Sequence, residues 1–332
     1  MGRKKLPQVV ILATGGTIAG KAASNTEMTG YKPGELGVET LIEAVPEMTA
    51  VADVTGEQFA NIGSFDMTNE VWLRLAKRVN ALLGQADVDG VVITHGTDSL
   101  EETAYFLHLT VHSRKPVVLV GAMRPATAIS ADGPVNLLNA VTLAGSQEAV
   151  GKGVLIAMND QINGARDVTK TNTTHVETFK SPELGYLGYF QNGRPVFYKV
   201  STRKHTADSE FCLEGVTQLP RVDILYSHVE DDGVLAEAAV KAGAKGLVIA
   251  AFGHGNIHMH LKMHLIALAR QGIAVVRSSR VGNGIVSRVP SDAENGFIVA
   301  DSLNAQKARI LLMLALLKTK DTGEIQEMFY RY

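Results

Sequence analysis

Hydroxyl side chains in this sequence follow directly after short apolar runs. The segment 13–20, ATGGTIAG, comes after the apolar run 9–12 and places Thr17 behind two glycines. Two glycines allow the backbone a tight turn, and such a turn can present the Thr17 hydroxyl to a cleft as a nucleophile. A threonine hydroxyl reacts only when a base or a charged partner assists its deprotonation. From this segment alone, a threonine that merely stabilises a turn is the better interpretation.

A glycine loop ahead of a helix can also bind phosphate. The dinucleotide fingerprint GxGxxG, started at Gly15, requires a glycine where this chain has Thr17. A P-loop requires an adjacent Gly-Lys-Ser/Thr, which the segment lacks. Glycine loops before helices bind anions in general, so a nucleotide-binding α/β protein stays an alternative that the broken fingerprint disfavours.

A second polar segment, 95–102 with the sequence HGTDSLEE, could supply the partners that Thr17 needs. Asp98 and Ser99 each stand three residues before a glutamate, which matches a capping box at the start of a helix. If Ser99 is the cap, Asp98 is available to orient the Thr97 hydroxyl and to bind a substrate ammonium group, while backbone amides stabilise an oxyanion. Lys170 is the cation that such a Thr-Asp pair would use, although sequence spacing cannot establish that it lies nearby.

Four histidines are spaced as two pairs, four residues apart, in the segment GHGNIHMHLKMH. They are His254, His258, His260 and His264. Histidines one helical turn apart can share a metal ion, as in HExxH sites. The glutamate of that motif is missing and the first pair spans a glycine-rich loop. Exposed or partly buried histidines that share no metal ion are therefore the favoured interpretation, and no metal site is predicted.

Short apolar strands alternating with helical patterns must position these residues. Strands are predicted at 9–13, 91–93, 117–120 and 154–157, and helices near 71–83, 101–109 and 135–144. This alternation is typical of βαβ units and of a parallel sheet covered by helices on both faces. Ligands of such sheets bind beyond the carboxyl ends of the strands, which is where the polar segments lie.

The pattern changes in the second half of the chain. Segment 181–200 carries Asn192-Gly193 between apolar runs and predicts a hairpin, and the strand-helix alternation restarts at Val222. The segment between them has mixed polarity and weak periodicity. We therefore predict an α/β fold with a larger N-terminal domain at 1–200 that holds most of the active site, a linker at 201–220 and a smaller parallel-sheet domain at 221–332.

Composition excludes several classes of function. The chain of 332 residues has 32 basic and 34 acidic residues, a net charge of −2 and no long run of either sign. It therefore lacks the charge pattern of a nucleic-acid or membrane-surface protein, and a small-molecule partner is favoured. Cys212 is the single cysteine, which excludes an intrachain disulfide and a CxxC zinc site. No apolar run reaches the roughly 18 residues that span a bilayer.

The first residues, MGRKKLP, are basic but lead straight into a predicted strand, without a small-residue cleavage site. As written, the chain is expected in the cytoplasm. If a signal peptide has been removed, the expected compartment is the periplasm.

Three longer stretches combine these features into one signature. They are ILATGGTIAG, GVVITHGTDSLEETAYFL and PVVLVGAMRP, the last continued by SADGPVNLLNAV. In this order they resemble the bacterial type II L-asparaginases and glutaminase-asparaginases. The resemblance extends from about Leu6 to Tyr332, with RVDILY, VVRSSR and SLNAQKARILLMLAL marking the second domain. Such ordered signatures are far more specific than a lone glycine loop.

The resemblance implies hydrolysis of L-asparagine to L-aspartate and ammonia through a threonine-linked acyl-enzyme, without a cofactor and with lesser activity on L-glutamine. It implies that Thr17 is the primary nucleophile and that Tyr31, on the loop after the first strand, hydrogen-bonds to it. Thr97, Asp98 and Lys170 match a second group, which assists activation of the nucleophile or of the attacking water.

The resemblance also implies how the substrate is held. Ser64, Thr97 and Asp98 would contact the substrate, with Ser64 and Asp98 at its α-carboxylate and α-amino groups. The family implies a homotetramer whose sites are completed by a neighbouring subunit. Asn256 and an acidic residue, assigned here to Glu294, would reach across from that subunit.

Three positions depart from the family pattern. Phe65 stands where a Gln or Glu usually helps to hold the zwitterionic end of the substrate, which predicts weaker substrate binding and lower activity on glutamine. His254 replaces a common Asn, and Ser99 replaces a Thr; both changes are expected to be tolerated. The loop that holds Glu294 is also shorter than is usual in the family.

The alternative function from a different class is a non-catalytic amino-acid-binding protein on the same scaffold. A binder needs only the residues that contact the zwitterion. The chain also retains Thr17, Tyr31, Thr97 and Lys170. Their joint presence favours an enzyme.

Overall fold

The computed structural model describes residues 5–20, Ser24, Thr26 and 34–332. The chain divides into two compact units, Met1–Leu213 and Glu214–Tyr332.

A mostly parallel sheet forms the centre of the larger unit. In chain order the strands of this unit are β1 (Gln8–Gly15), β2 (Asp53–Ile62), β3 (Gly90–Thr94), β4 (Val117–Val120), β5 (Val154–Met158), β6 (Gln161–Gly164), β7 (Thr169–Lys170), β8 (Phe179–Lys180), β9 (Gly188–Gln191) and β10 (Arg194–Phe197). Within the described residues, eight of them form one sheet in the order β10-β9-β6-β5-β4-β3-β1-β2. The neighbours β2-β1, β1-β3, β3-β4 and β4-β5 pair in parallel. The neighbours β5-β6, β6-β9 and β9-β10 pair antiparallel. Strands β7 and β8 form a separate antiparallel ribbon.

Helices cover both faces of this sheet. They are α1 (Val38–Glu43), α2 (Asn69–Leu83), α3 (Leu100–Thr110) and α4 (Gly133–Ala144). Val118 and Val120 of β4 pack into one core with Leu137 and Val141 of α4. The alternate residues of β4 are also fully buried, on the face opposite α4. On that face α2 and α3 are joined by stacking of the Trp72 and Phe106 rings, whose centroids lie 5.3 Å apart.

The central strands are the ones that the sequence predicts best. Every residue of β3, β4 and β5 is buried, as the short apolar runs at these positions predicted. Strand β2 was missed, because its sequence DVTGEQFANI contains no apolar run. Among the strands that the structure describes, it lies at the edge and pairs only with β1, and it keeps much of its surface exposed. An edge strand can therefore be polar without loss of core packing.

The predicted hairpin is confirmed. Strands β9 and β10 pair antiparallel with Gln191 opposite Arg194, so the turn consists of Asn192 and Gly193 alone. Both turn residues have positive φ, 50° and 71°, as a type I′ turn requires.

The first part of the predicted linker packs on the larger unit. Ser209 Oγ donates a hydrogen bond to the carbonyl of Leu109 at 2.5 Å, and Phe211 is buried. The bounds assigned to the linker, 201–220, stay a prediction.

The smaller unit is built around a second parallel sheet. Its elements are β11 (Val222–Tyr226), α5 (Val234–Lys241), β12 (Gly246–Ala251), α6 (Met259–Arg270), β13 (Ala274–Ser279), α7 (Pro290–Asn295), β14 (Phe297–Val299), α8 (Ala305–Ala315) and α9 (Thr322–Arg331). The four strands follow chain order and all pair in parallel. Asn304 and Asp321 cap α8 and α9 by accepting backbone N–H groups. The predicted α/β fold with two sheets is confirmed.

In the part of the chain that the structure describes, the helices are all too short or too polar to cross a membrane.

Candidate active site

Three loops touch one another beyond the carboxyl ends of β1, β2 and β3. Gly16 has a φ of 84°, and a side chain there would collide with the backbone of Gly96. A Cβ atom at Gly96 would in turn lie 2.6 Å from Ser64 Oγ. Glycine at both positions is therefore what allows the loops to approach this closely.

Thr17 begins a short 3₁₀ turn directly after this contact. Its side chain is buried, with 5% of the residue exposed, although threonines in loops are mostly exposed. Burial beside the contact of Gly16 with Gly96 distinguishes Thr17 from a threonine in a solvent-exposed turn. Tyr31, predicted to hydrogen-bond to Thr17, lies outside the described residues, so its role stays a prediction.

The structure brings Lys170 into contact with Thr97 and Asp98, across more than 70 positions of sequence. The ammonium of Lys170 lies 3.0 Å from Thr97 Oγ1 and 2.6 Å from Asp98 Oδ1. The lysine side chain is 18% exposed and that of Asp98 is 57% exposed. An ammonium that donates to a hydroxyl oxygen favours negative charge on that oxygen. The group can therefore assist a proton transfer at Thr97.

Ser64 is bound to the same loop by two hydrogen bonds. Its Oγ accepts from the backbone N–H of Asp98 at 3.1 Å, and its carbonyl accepts from Ser99 Oγ at 2.6 Å. The capping prediction for Ser99 is wrong: it occupies the N-cap position of α3, but its side chain caps no backbone N–H of the helix. A tertiary contact with Ser64 has replaced the local one.

His95 is a buried residue that our sequence reasoning missed. Its Nδ1 lies 2.7 Å from the carbonyl oxygen of Gly96, so that nitrogen carries the proton and donates. Its Nε2 then accepts from Thr103 Oγ1 at 2.9 Å, and Thr103 Oγ1 accepts from Trp72 Nε1 at 2.8 Å. This chain of hydrogen bonds holds the loop before Thr97. The only sequence signal is a histidine at the end of an apolar strand.

We expect His95 to make the stability of the fold pH-dependent. Burial lowers the pKa of His95 from 6.5 to about 4 in the folded protein. Between these values the unfolded chain binds more protons, so the free energy of unfolding falls as pH decreases from 6.5 to 4. The loss that His95 contributes is at most about 3 kcal/mol. Urea unfolding at several pH values measures it.

His95→Gln provides the comparison, because glutamine can donate and accept hydrogen bonds but does not titrate. The stability advantage of wild type over this variant is expected to shrink as pH falls through the window. An advantage that stays constant from pH 7 to 4 would contradict the assignment.

Phe65 lies on the short 3₁₀ turn that starts at Ser64. The residue is 69% exposed, and its ring lies against the Cα atom of Gly63, where a Cβ atom would be 2.6 Å from the ring. The position expected to offer a polar contact to substrate therefore presents an aromatic surface.

Asn256 and Glu294 belong to the smaller unit, and both are exposed. The backbone of Asn256 forms a bridge with Phe252, with N–O distances of 2.8 and 3.0 Å. Glu294 lies on α7. Their predicted reach into a neighbouring subunit's site stays a prediction.

A buried ion pair ties the segment before Asn256 to α7. Arg277 donates to both carboxylate oxygens of Asp292, at 2.7 and 2.6 Å, and also to the carbonyl of Gly255 at 2.8 Å. Such a bidentate pair fixes geometry more strictly than a single contact.

Of the four histidines of the GHGNIHMHLKMH segment, two contact residues outside it and two contact each other. His254 Nε2 lies 3.0 Å from Ser287 Oγ, and His264 Nδ1 lies 2.5 Å from Glu237 Oε1. The rings of His258 and His260 meet edge to face, with centroids 5.1 Å apart. Across the described ranges, no three His, Cys, Asp or Glu side chains are grouped to hold a metal ion.

Comparison with known proteins gives matches over nearly the whole chain. A family model described as Asparaginase, N-terminal matches residues 8–203, and one described as Glutaminase/Asparaginase C-terminal domain matches residues 221–329. The L-asparaginase 2 of Bacillus subtilis (strain 168) is 54% identical over 330 residues, which cover 99% of this chain and 88% of that protein. The glutaminase-asparaginase of Pseudomonas fluorescens biotype A is 46% identical over 333 residues, covering 99% of this chain and 92% of that protein.

A solved structure agrees with the fold as well. The crystal structure of a probable cytoplasmic L-asparaginase from Campylobacter jejuni is 52% identical and superposes with a TM-score of 0.96, covering 98% of this chain and 100% of that one. The two family models and these identities over nearly the full length show that the chain belongs to the asparaginase family.

Proposed function

We propose that this protein hydrolyses L-asparagine to L-aspartate and ammonia, with lesser activity on L-glutamine. The observation that carries the proposal is the contact of the Lys170 ammonium with Thr97 and Asp98, in the loop that touches the Thr17 loop. Relatives named L-asparaginase 2 and glutaminase-asparaginase support the same substrates.

In the proposed reaction, Thr17 Oγ attacks the side-chain amide carbon of asparagine and its proton passes to a neighbouring group. The tetrahedral intermediate then expels the amide nitrogen, which takes up a proton and leaves as ammonia. The product of this first half of the reaction is an ester between the aspartyl group and Thr17. Water hydrolyses the ester, releases aspartate and restores the Thr17 hydroxyl.

We assign assistance in these proton transfers to Thr97 and Lys170. The ammonium donates to Thr97 Oγ1 and so stabilises negative charge there, which allows Thr97 to release its own proton to the departing nitrogen and to take up the proton from Thr17 in its place. Positioned groups of this kind contribute about 10²–10⁴-fold to a rate. No step of the scheme requires a cofactor.

Ser64 and Asp98 are proposed to hold the zwitterionic end of the substrate, with Thr97 beside them. The carboxylate of Asp98 is 57% exposed, so it can accept from a substrate ammonium while it is bound to Lys170. Ser64 is fixed by its two hydrogen bonds to the loop of Asp98 and Ser99. A binding group held in this way loses little entropy when the substrate arrives.

We also propose a homotetramer in which Asn256 and Glu294 complete the site of a neighbouring subunit. Exposed apolar side chains on α5 and α6 support association of subunits. They are Val234, Leu235, Met259 and Met263. Apolar surface of this kind commonly marks a protein-protein interface.

The alternative is a non-catalytic amino-acid-binding protein. The contact between Lys170 and Thr97 favours the enzyme, because binding a zwitterion does not require an ammonium group on a hydroxyl. The decisive experiment measures ammonia release by the purified protein from L-asparagine and L-glutamine side by side. We expect release from both amides and a higher kcat/KM for asparagine. No release from either amide overturns the proposal.

Phe65→Gln is expected to raise kcat/KM for glutamine and for asparagine. A glutamine side chain would restore a hydrogen bond to a charged end of the substrate, and about 1.5 kcal/mol from such a bond corresponds to roughly tenfold. The measurement is steady-state kinetics on both amides.

Phe65→Leu is the matched control, because it removes the ring without adding a polar group. It should leave both kcat/KM values close to those of wild type. If Phe65→Gln gains on neither substrate, the aromatic ring does not limit binding and the prediction is wrong.

A further inference from the structure

Glu101 is a buried carboxylate in the first turn of α3. Only 4% of the residue is exposed, and glutamates are seldom buried to this degree unless they are paired or hydrogen-bonded. Its Oε2 accepts a hydrogen bond from the backbone N–H of Lys170 at 2.7 Å. The sequence placed Glu101 in a capping box with Asp98, three residues earlier. The structure instead uses it to bind a segment 69 positions away.

Lys170 belongs to a ribbon that lies outside the main sheet. Strands β7 and β8 are two residues each and pair with one another. The bond from Thr171 N–H to the Thr178 carbonyl likewise joins the ribbon to itself. The hydrogen bond to Glu101 connects the ribbon to a buried helix, at the residue whose ammonium reaches Thr97.

Helix α3 contacts both the loop that carries Thr97 and the strand that carries Lys170. On one side, Thr103 of α3 holds His95 and with it the loop that leads to Thr97. On the other side, Glu101 holds the backbone of Lys170. Helix α3 therefore holds both Lys170 and the loop that leads to Thr97 in position.

We propose that Glu101 is a positioning residue, which fixes the Lys170 backbone so that the ammonium stays on Thr97 and Asp98. The ammonium-oxygen distances of 3.0 and 2.6 Å leave little tolerance for movement of the strand. A displacement of about 1 Å at a reacting group can cost about 10²-fold in rate. The catalytic consequence of this inference rests on the proposed function, whereas its structural part does not.

The test compares two replacements of Glu101. Glu101→Leu removes the acceptor and nearly keeps the volume, and it is expected to lower kcat for asparagine by about 10–100-fold with KM changed less than about threefold. Glu101→Gln keeps an oxygen that can accept from Lys170 N–H, and it should retain kcat within about threefold of wild type. The control is Glu102→Leu at the adjacent glutamate, which should leave kcat unchanged.

Hydrogen exchange at the Lys170 amide provides a readout that does not depend on activity. The amide should exchange faster in Glu101→Leu than in wild type, and at the wild-type rate in Glu101→Gln and Glu102→Leu. If Glu101→Leu does not fold, Glu101→Asp replaces it, because its carboxylate is one methylene further from Lys170.

Unchanged exchange in a folded variant without the acceptor overturns the proposal. An equal loss of kcat in Glu101→Gln and Glu101→Leu also overturns it, because the charge rather than the acceptor would then matter. If wild type releases no ammonia, the proposed function fails, and the exchange measurement still decides whether Glu101 positions Lys170.

Discussion

Replacing Thr17 by alanine is expected to abolish ammonia release from asparagine, with kcat lowered by about 10⁴-fold or more. The reason is that Thr17 is the proposed site of the covalent bond, so its hydroxyl has no substitute in the reaction. The residue is buried beside the contact of Gly16 with Gly96, where a water molecule would have to be positioned anew to replace it. Steady-state ammonia release measures the loss.

Two further measurements make this result specific. Mass spectrometry of protein quenched in acid during turnover should show an aspartyl adduct on wild type and none on Thr17→Ala. Thr17→Ser keeps a hydroxyl and is expected to retain measurable activity, provided that its melting temperature matches wild type. Substantial activity of Thr17→Ala would show that another group is the nucleophile.

Lys170→Met is expected to lower kcat by about 10²–10⁴-fold, which is the usual range for loss of a group that assists proton transfer. Methionine keeps most of the length of the side chain but removes the ammonium that lies 3.0 Å from Thr97 Oγ1. The negative charge that develops on Thr97 then has no cation beside it. Kinetics on asparagine separate this effect on kcat from any effect on KM.

Lys180→Met is the matched control for this experiment. Lys180 lies on the partner strand of the same ribbon, and its ammonium pairs with Glu177 at 3.4 Å on the surface. An exposed pair of this type contributes little to stability, so its loss should leave kcat near wild type. Equal kinetics for the two variants would remove Lys170 from the proposed mechanism.

The local sequence predicted several elements because their cause is local. The turn at Asn192-Gly193 requires two residues that accept positive φ, and both are present in the sequence. The buried strand β4 is apolar throughout, and β3 is apolar up to Thr94 at its end, because both faces of these strands are covered. Strand β2 escaped prediction because an edge strand can be polar.

Local patterns misled where a tertiary contact competed with them. Ser99 and Glu101 each fit one of the two possible capping boxes at the start of α3. In the structure Ser99 instead contacts Ser64, and Glu101 contacts Lys170. A capping bond contributes only about 1 kcal/mol. A side chain at a helix start can therefore take a different partner when the fold brings one within reach.

By itself the sequence determined the two parallel-sheet units and the kinds of side chain that follow their strands, because strand periodicity and residue chemistry are properties of adjacent residues. Only the tertiary structure decided which of these side chains meet. The contact of Lys170 with Thr97 depends on where a two-residue ribbon is anchored, and that anchor is a glutamate on another element. Distances between residues about 70 positions apart follow from the order of strands and the packing of helices, which no local pattern encodes.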